Sequence, residues 1–263
     1  MAMKKRTKGN ITAPSLPRKD MLAEVNNNEA GNIYNSLFAK NRKVEYDNKD
    51  IALVNIRTNP DNQIFRAMDD DEDIRILAED IKRNGLMHNL VVFPEQEEGS
   101  TVYVLLSGER RFRALNYLQE KGDATWNIVD CNVVTTPLSE NEKKVLLYSA
   151  NLQVRGGFSD EAIRRQAIAE FITCLQKEPY NMSKEEALSA TKSVSTVNPR
   201  TIERDARIEE KLKGKLKTLL NDKFLTRSEC ETYLRFEEDK QEKIAERFEK
   251  LQAVDCHSDD AES

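Results

Sequence analysis

The sequence has no apolar run near the roughly 20 residues that a membrane-spanning helix requires. Its polar, basic start, MAMKKRTKGN, lacks the apolar centre of a secretion signal. A soluble, cytoplasmic protein with no membrane partner is therefore expected. Cysteine is scarce: Cys131, Cys174, Cys230 and Cys256 are scattered without a C-x-x-C pair. The two histidines, His88 and His257, form no metal-ligand spacing with them. This argues against a zinc site or a disulfide framework and leaves reduced thiols as the expectation. An excess of positive charge is missing too. At a net charge of -5 the chain as a whole has no electrostatic case for a nucleic-acid partner, and any such case must rest on local clustering. No repeat of solenoid type is visible.

What is present is a chain of 263 residues, 38% hydrophobic and 33% charged, which suits two small domains with modest cores better than one large one. The charge is unevenly placed. Lys4, Lys5, Arg6, Lys8, Arg18 and Lys19 precede the first acid, Asp20, while the end from Glu237 is acidic and finishes DCHSDDAES. Residues 1–47 mix Lys, Asn, Pro and Gly with little periodicity and read as a flexible basic arm.

Residues 48–137 read as a first domain. DIALVNIRTNP carries a short strand through Ile51, Leu53 and Ile56, closed by Asn59-Pro60. DDDEDIRILAEDIKRNG places Ile74, Leu77, Ala78 and Ile81 on one helical face, with acids in the first turn and Gly85 after the end. LVVF and TVYVLL flank a polar PEQEEGS and predict a hairpin, and a further strand is expected in WNIVDCNVV, with Trp126 at its start and in the core. Alternating strands and helices make this part α/β, or α+β if the sheet is mixed. After Pro137 the strand patterns stop, and residues 138–252 read as an all-helical second domain ahead of an acidic tail, 253–263.

Within the first domain, LLSGERRFRALNYL crowds Arg110, Arg111 and Arg113 at the mouth of a helix, where the backbone already presents positive partial charge. An anion resolves that conflict. A strand ending at Leu106, a Ser107-Gly108 corner and a helix from Glu109 would aim backbone N–H groups and guanidinium groups at one place, as phosphate recognition needs. The competing reading has the arginines solvated, or paired with Glu109 and the DDDED run.

The helical half carries a second signal. Ser183 and Glu186 fit a capping box, and Asn198-Pro199 fits a cap followed by proline at the first helical position. In the helix that follows, Ile202, Ala206 and Leu212 face inward, leaving Arg200, Thr201, Arg204, Arg207 and Lys211 outward, where a helix-turn-helix protein reaches base edges and phosphates. Against this, the span 191–197 is long for the turn of that motif, and Glu203, Asp205, Glu209 and Glu210 dilute the charge. A solvated helix laced by ion pairs is the alternative.

GERRFRA, residues 108–114, resembles the G-E-R-R-x-R-A motif of ParB chromosome and plasmid partition proteins. NPDNQIFRAMDDDEDIRILAEDIKRNGLMHNLVVF resembles that family's N-P-x-Q-P-R segment, helix and strand, and SANLQVRGGFSDEAIRRQAI its E-N-x-x-R motif and following helix. The likeness runs from about residue 50 to about residue 250. It implies a ParB/sulfiredoxin-like amino-terminal domain followed by a helix-turn-helix domain. It also implies CTP and Mg2+ as cofactors, with Gly108, Glu109, Arg110, Arg111, Arg113 and Arg155 at the nucleotide and Asn151 at the metal. Double-stranded DNA, nucleotide-dependent self-association and recruitment of a partition ATPase by the basic arm are the implied partners, in a protein associated with the nucleoid or a plasmid. For the arm, a solubilising role is the alternative.

Two positions depart from the family pattern. Ala150 stands where the family has Glu and Val154 where it has Arg, with Arg155 one place further on. Without that carboxylate, slow or absent hydrolysis is expected. CHSDDAES is too short and acidic to replace the family's dimerising carboxy-terminal domain. A transcriptional regulator without a nucleotide switch stays open as a second reading. So does a metal-dependent nuclease using Glu109 and the acids of residues 69–73. Sulfiredoxin chemistry would need a reactive cysteine where Ser107-Gly108 offers none.

Overall fold

The computed structural model describes residues 44–66, 70–154 and 160–259. Five strands form one sheet: β1 (Tyr46–Ala52), β2 (Ile56–Arg57), β3 (Leu90–Glu97), β4 (Ser100–Ser107) and β5 (Ile128–Val134), in the order β1-β5-β3-β4-β2. β1/β5 and β3/β4 are antiparallel, while β3/β5 and β2/β4 are parallel. The sheet is therefore mixed, and this part of the chain is α+β.

The β3–β4 hairpin turns on Glu98 and Gly99, both at positive φ, so PEQEEGS is mostly strand and only its tip is a turn. The single strand expected over Ile51–Ile56 is in fact broken by a 3-10 turn at Leu53–Asn55, and its two pieces lie on opposite edges of the sheet. Trp126 also departs from expectation. It sits partly buried in a 3-10 turn, Ala124–Asn127, whose start is capped by the Asp123 side chain, so β5 begins only at Ile128.

Alternation along the strands gives the sheet two apolar faces. Val92, Leu105 and Val133 pack with Ile74, Ala78 and Ile81 of α2 (Asp71–Asn84) and with Phe112, Leu115 and Leu118 of α3 (Glu109–Glu120). Phe93, Val104, Leu106 and Val134 point the other way, where Leu146 of α4 (Glu140–Val154) covers them. α4 looks both ways, because its Val145, Tyr148 and Leu152 enter a second core with helices α5 (Glu161–Gln176), α6 (Lys184–Val194) and α7 (Pro199–Lys211). A cut at residue 137 thus precedes a helix that packs on both halves.

The short helix α1 (Gln63–Arg66) sends Phe65, fully buried, into that second core, edge-on to Tyr148 at 5.8 Å. A third core joins Ile208 and Leu212 to α8 (Gly214–Asn221), α9 (Arg227–Tyr233) and α10 (Glu238–Asp259). All elements described after β5 are helices. Both sides of the Ser183/Glu186 capping box form, and Asn198 caps α7 with Pro199 at its start. Since α6 runs to Val194, the link to α7 is residues 195–198, shorter than the span 191–197 expected from the sequence. Among the described residues no helix is long and apolar enough to cross a membrane.

Candidate functional site

The GERRFRA corner forms where β4 ends. Gly108 caps α3 with φ 103°, a left-handed conformation open to glycine, and a Cβ there would sit 2.7 Å from Leu90 Cδ2 and 3.3 Å from Arg111 Nη2. Glycine is required twice over, once by the backbone and once by contact. It also offers no side-chain oxygen to the first N–H groups of α3, so the cap that Ser or Asp would provide is absent at this helix start. Glu109 turns inward and is buried.

The three arginines divide. Arg111 folds back over Gly108 and donates to the backbone oxygens of His88 and Asn89, at 2.5 and 2.9 Å, tying the start of α3 to the start of β3. Arg110 and Arg113, one turn apart, face the first turn of α2, where Arg113 Nη2 lies 3.0 Å from Asp71 and Arg110 Nη2 3.9 Å from Asp73. The DDDED run is thus the counter-charge in this state, as the competing reading of the sequence has it. The two partners differ in exposure: the Arg113 side chain is 17% exposed and that of Asp71 85%, so it is the carboxylate that can resolvate when the pair parts. Acids at a helix start also need no partner to be favourable.

Asn151 lies on α4. Its amide nitrogen donates to Leu147 O at 2.9 Å and, more weakly, to Asn62 Oδ1 at 3.4 Å. The neighbouring Ala150 is buried and brings no carboxylate. Arg155 lies outside the described residues. Asn62 as a neighbour of Asn151 was not among the residues expected at the site. Asn59 caps a 3-10 turn, Pro60–Asn62, that lays this segment along α4, and Asp61 joins Lys144 at 3.1 Å, a hydrogen bond that raises the lysine's pKa. Asn59-Pro60 signals a turn. Nothing local signals a partner 89 residues away.

The donors at the corner suit a polyphosphate: two guanidinium groups on one face beside a helix start whose N-cap glycine brings no side-chain oxygen. A magnesium ion would take the Asn151 carbonyl oxygen and otherwise depend on phosphate oxygens and water, the usual pattern for that ion. No group of three or more His, Cys, Asp or Glu able to hold a metal is found among the described residues. Of the acids named for the nuclease reading, Asp71 and Asp73 face Arg113 and Arg110, and Asp69 lies outside the described residues. Burial pushes the Cys131 thiol up to about 12 and those of Cys174 and Cys230 to about 11, which makes all three poor nucleophiles.

On α7, Arg200 and Lys211 are exposed and Thr201 is half-buried. Arg204 and Arg207 lie against one acid from α9, with Glu231 2.7 Å from Arg204 Nη2 and 3.3 Å from Arg207 Nη2. Of the acids expected to dilute the outward charge, two turn inward. Asp205 is fully buried, 2.7 Å from Arg164 Nε and 3.4 Å from Arg227 Nη1, and Glu209 meets Arg165 and Lys217. Arginines on α5, themselves buried or nearly so, draw these carboxylates inside. Glu203 stays outside, and a hydrogen bond from Lys192 holds its carboxyl below the usual range.

Residues 37–141 match the ParB N-terminal domain family. This segment is a ParB N-terminal domain. The match spans the whole sheet and the GERRFRA corner and ends inside the first turn of α4. No curated protein matches the chain. Among solved structures, the chain is similar to the C-terminally truncated chromosome-partitioning protein ParB from Caulobacter crescentus complexed with CTP-gamma-S. There identity is 17%, coverage 76% of this chain and 98% of the other, and the TM-score 0.33. Two structures of pNOB8-like ParB N-domains also match. One has 14% identity, covering 78% of this chain and 98% of the other, with a TM-score of 0.40; the second has 12% identity, covering 86% and 100%, with a TM-score of 0.37.

Proposed function

We propose that this chain is a ParB-like DNA-binding protein of plasmid or chromosome partition, regulated by CTP with Mg2+ bound at GERRFRA. The observation that carries the proposal is a ParB N-terminal domain whose strand–glycine–helix corner presents Arg110 and Arg113 on one face. In this reading the triphosphate replaces Asp71 and Asp73 as the partner of those two arginines. Arg111 and Gly108 act differently: they fix the corner's shape, with Glu109 buried beside them. Asn151 contributes a metal oxygen, and Arg155 adds phosphate charge. Ala150 in place of the family's carboxylate fits binding with slow or absent turnover.

In the same reading α6, the 195–198 turn and α7 act as a helix-turn-helix. Arg200, Thr201, Arg204, Arg207 and Lys211 face duplex DNA, and nucleotide promotes self-association. The helical second domain reads DNA, and the basic arm recruits a partition ATPase. Nucleoid or plasmid association follows from these roles.

The test is duplex affinity against salt, with and without CTP and Mg2+. A salt-dependent affinity shifted by nucleotide is expected, and Arg113→Ala should abolish the shift. DNA binding indifferent to every nucleoside triphosphate would establish the second reading, a regulator without a switch. The pairing of Arg110 and Arg113 with the protein's own acids is what keeps that reading in play.

A further inference from the structure

We infer that Glu231 withholds Arg204 and Arg207 from DNA phosphates, and so limits sequence-independent binding by α7; the inference rests on α7 being a DNA-facing helix. α9 addresses α7 along a single stripe. Its Arg227 reaches the buried Asp205 at 3.4 Å and also holds Glu161 at 2.7 Å, which fastens α9 to α5 and α7. One turn further along α9, on the same face, Glu231 reaches Arg204 and Arg207, one turn apart on α7. The capping box of Thr226 and Glu229 fixes where α9 starts and therefore where Glu231 lands.

The two ends of this stripe differ in accessibility. Asp205 is sealed from water, whereas the side chains of Glu231, Arg204 and Arg207 are 31%, 33% and 56% exposed. A solvated carboxylate shared by two guanidiniums is a counter-ion that a phosphate can replace, but only by leaving Glu231 to repel the backbone it adjoins. That penalty is the same for every sequence. It weakens non-specific binding, which is almost wholly phosphate contact, and bears less on contacts to base edges from the start of α7.

The experiment uses the full chain and a random-sequence duplex, with affinity measured by fluorescence anisotropy between 50 and 200 mM salt. Each phosphate contact adds about 0.9 to the slope of log affinity against log salt, so Glu231→Gln should steepen the slope by up to about 2 and tighten binding on the order of 10-fold. Glu231→Ala should do the same, and adding Arg204→Ala with Arg207→Ala should cancel the gain. Unchanged or weaker binding by both Glu231 variants, beside a wild type that binds, would overturn this inference and leave the DNA reading standing. Absence of duplex binding by wild type and variants alike would overturn both.

Discussion

Arg164 and Arg113 each donate to an aspartate, at 2.7 and 3.0 Å, yet the two contacts differ in kind. Asp205, the partner of Arg164, is wholly buried between α5, α7 and α9, and Arg227 approaches its second oxygen. Asp71, the partner of Arg113, stands in water at the start of α2. The same pair of functional groups is therefore a lock in one half of the molecule and an exchangeable counter-ion in the other. Burial makes the difference. An enclosed carboxylate stripped of its partners has no water to fall back on, whereas an exposed one resolvates.

The comparison would break first at the lock. Asp205→Ala should cost about 4 kcal/mol, read from urea unfolding, because it leaves the guanidiniums of Arg164 and Arg227 without their central charge. A loss below about 1 kcal/mol would make the two pairs equivalent.

Gly108→Ala should cost about 3 kcal/mol in the same measurement, from left-handed backbone strain together with the overlap on Leu90. Its effect belongs to the ParB-domain half, so the near-ultraviolet signal of Trp126, which packs against that core, should report it.

Arg113→Ala tests the exchangeable pair. It should weaken CTP binding at least about 10-fold in calorimetric titration, equal to about 1.4 kcal/mol.

The smallest change is expected for Asp71→Asn. Stability should move by no more than about 1 kcal/mol, and CTP should bind at least as tightly as before, since only a competitor of phosphate has been removed. A loss of CTP binding in this variant would place Asp71 among the ligand's own contacts and reverse the argument.

Much of the fold was visible in local pattern. Acids ahead of Ile74 and a glycine after Asn84 mark both ends of α2, Ser183 and Glu186 start α6, and Asn198-Pro199 starts α7, because each signal and the structure it specifies lie within a few residues. Trp126 misled because its aromatic, β-rich neighbourhood looks like strand, while Asp123 diverts it into a capped turn. At the candidate site the arginine cluster was legible, but its division was not. Arg111 donates to the carbonyls of His88 and Asn89 just ahead of β3, and only the register of sheet against helix brings those atoms within reach.

The sequence by itself determined that a mixed strand-and-helix segment precedes a helical one, where most helices begin, and that glycine and three arginines share one corner. Tertiary structure decided that β1 and β2 lie on opposite edges, that Phe65 leaves its own half to fill the helical core, and that Asp205 is enclosed while Asp71 is not. The reason is range. Caps, turns and periodicity are set by neighbours within about one helical turn. The environment of a charge is set by whichever distant chain packs over it, and no stretch around Asp205 or Asp71 specifies that.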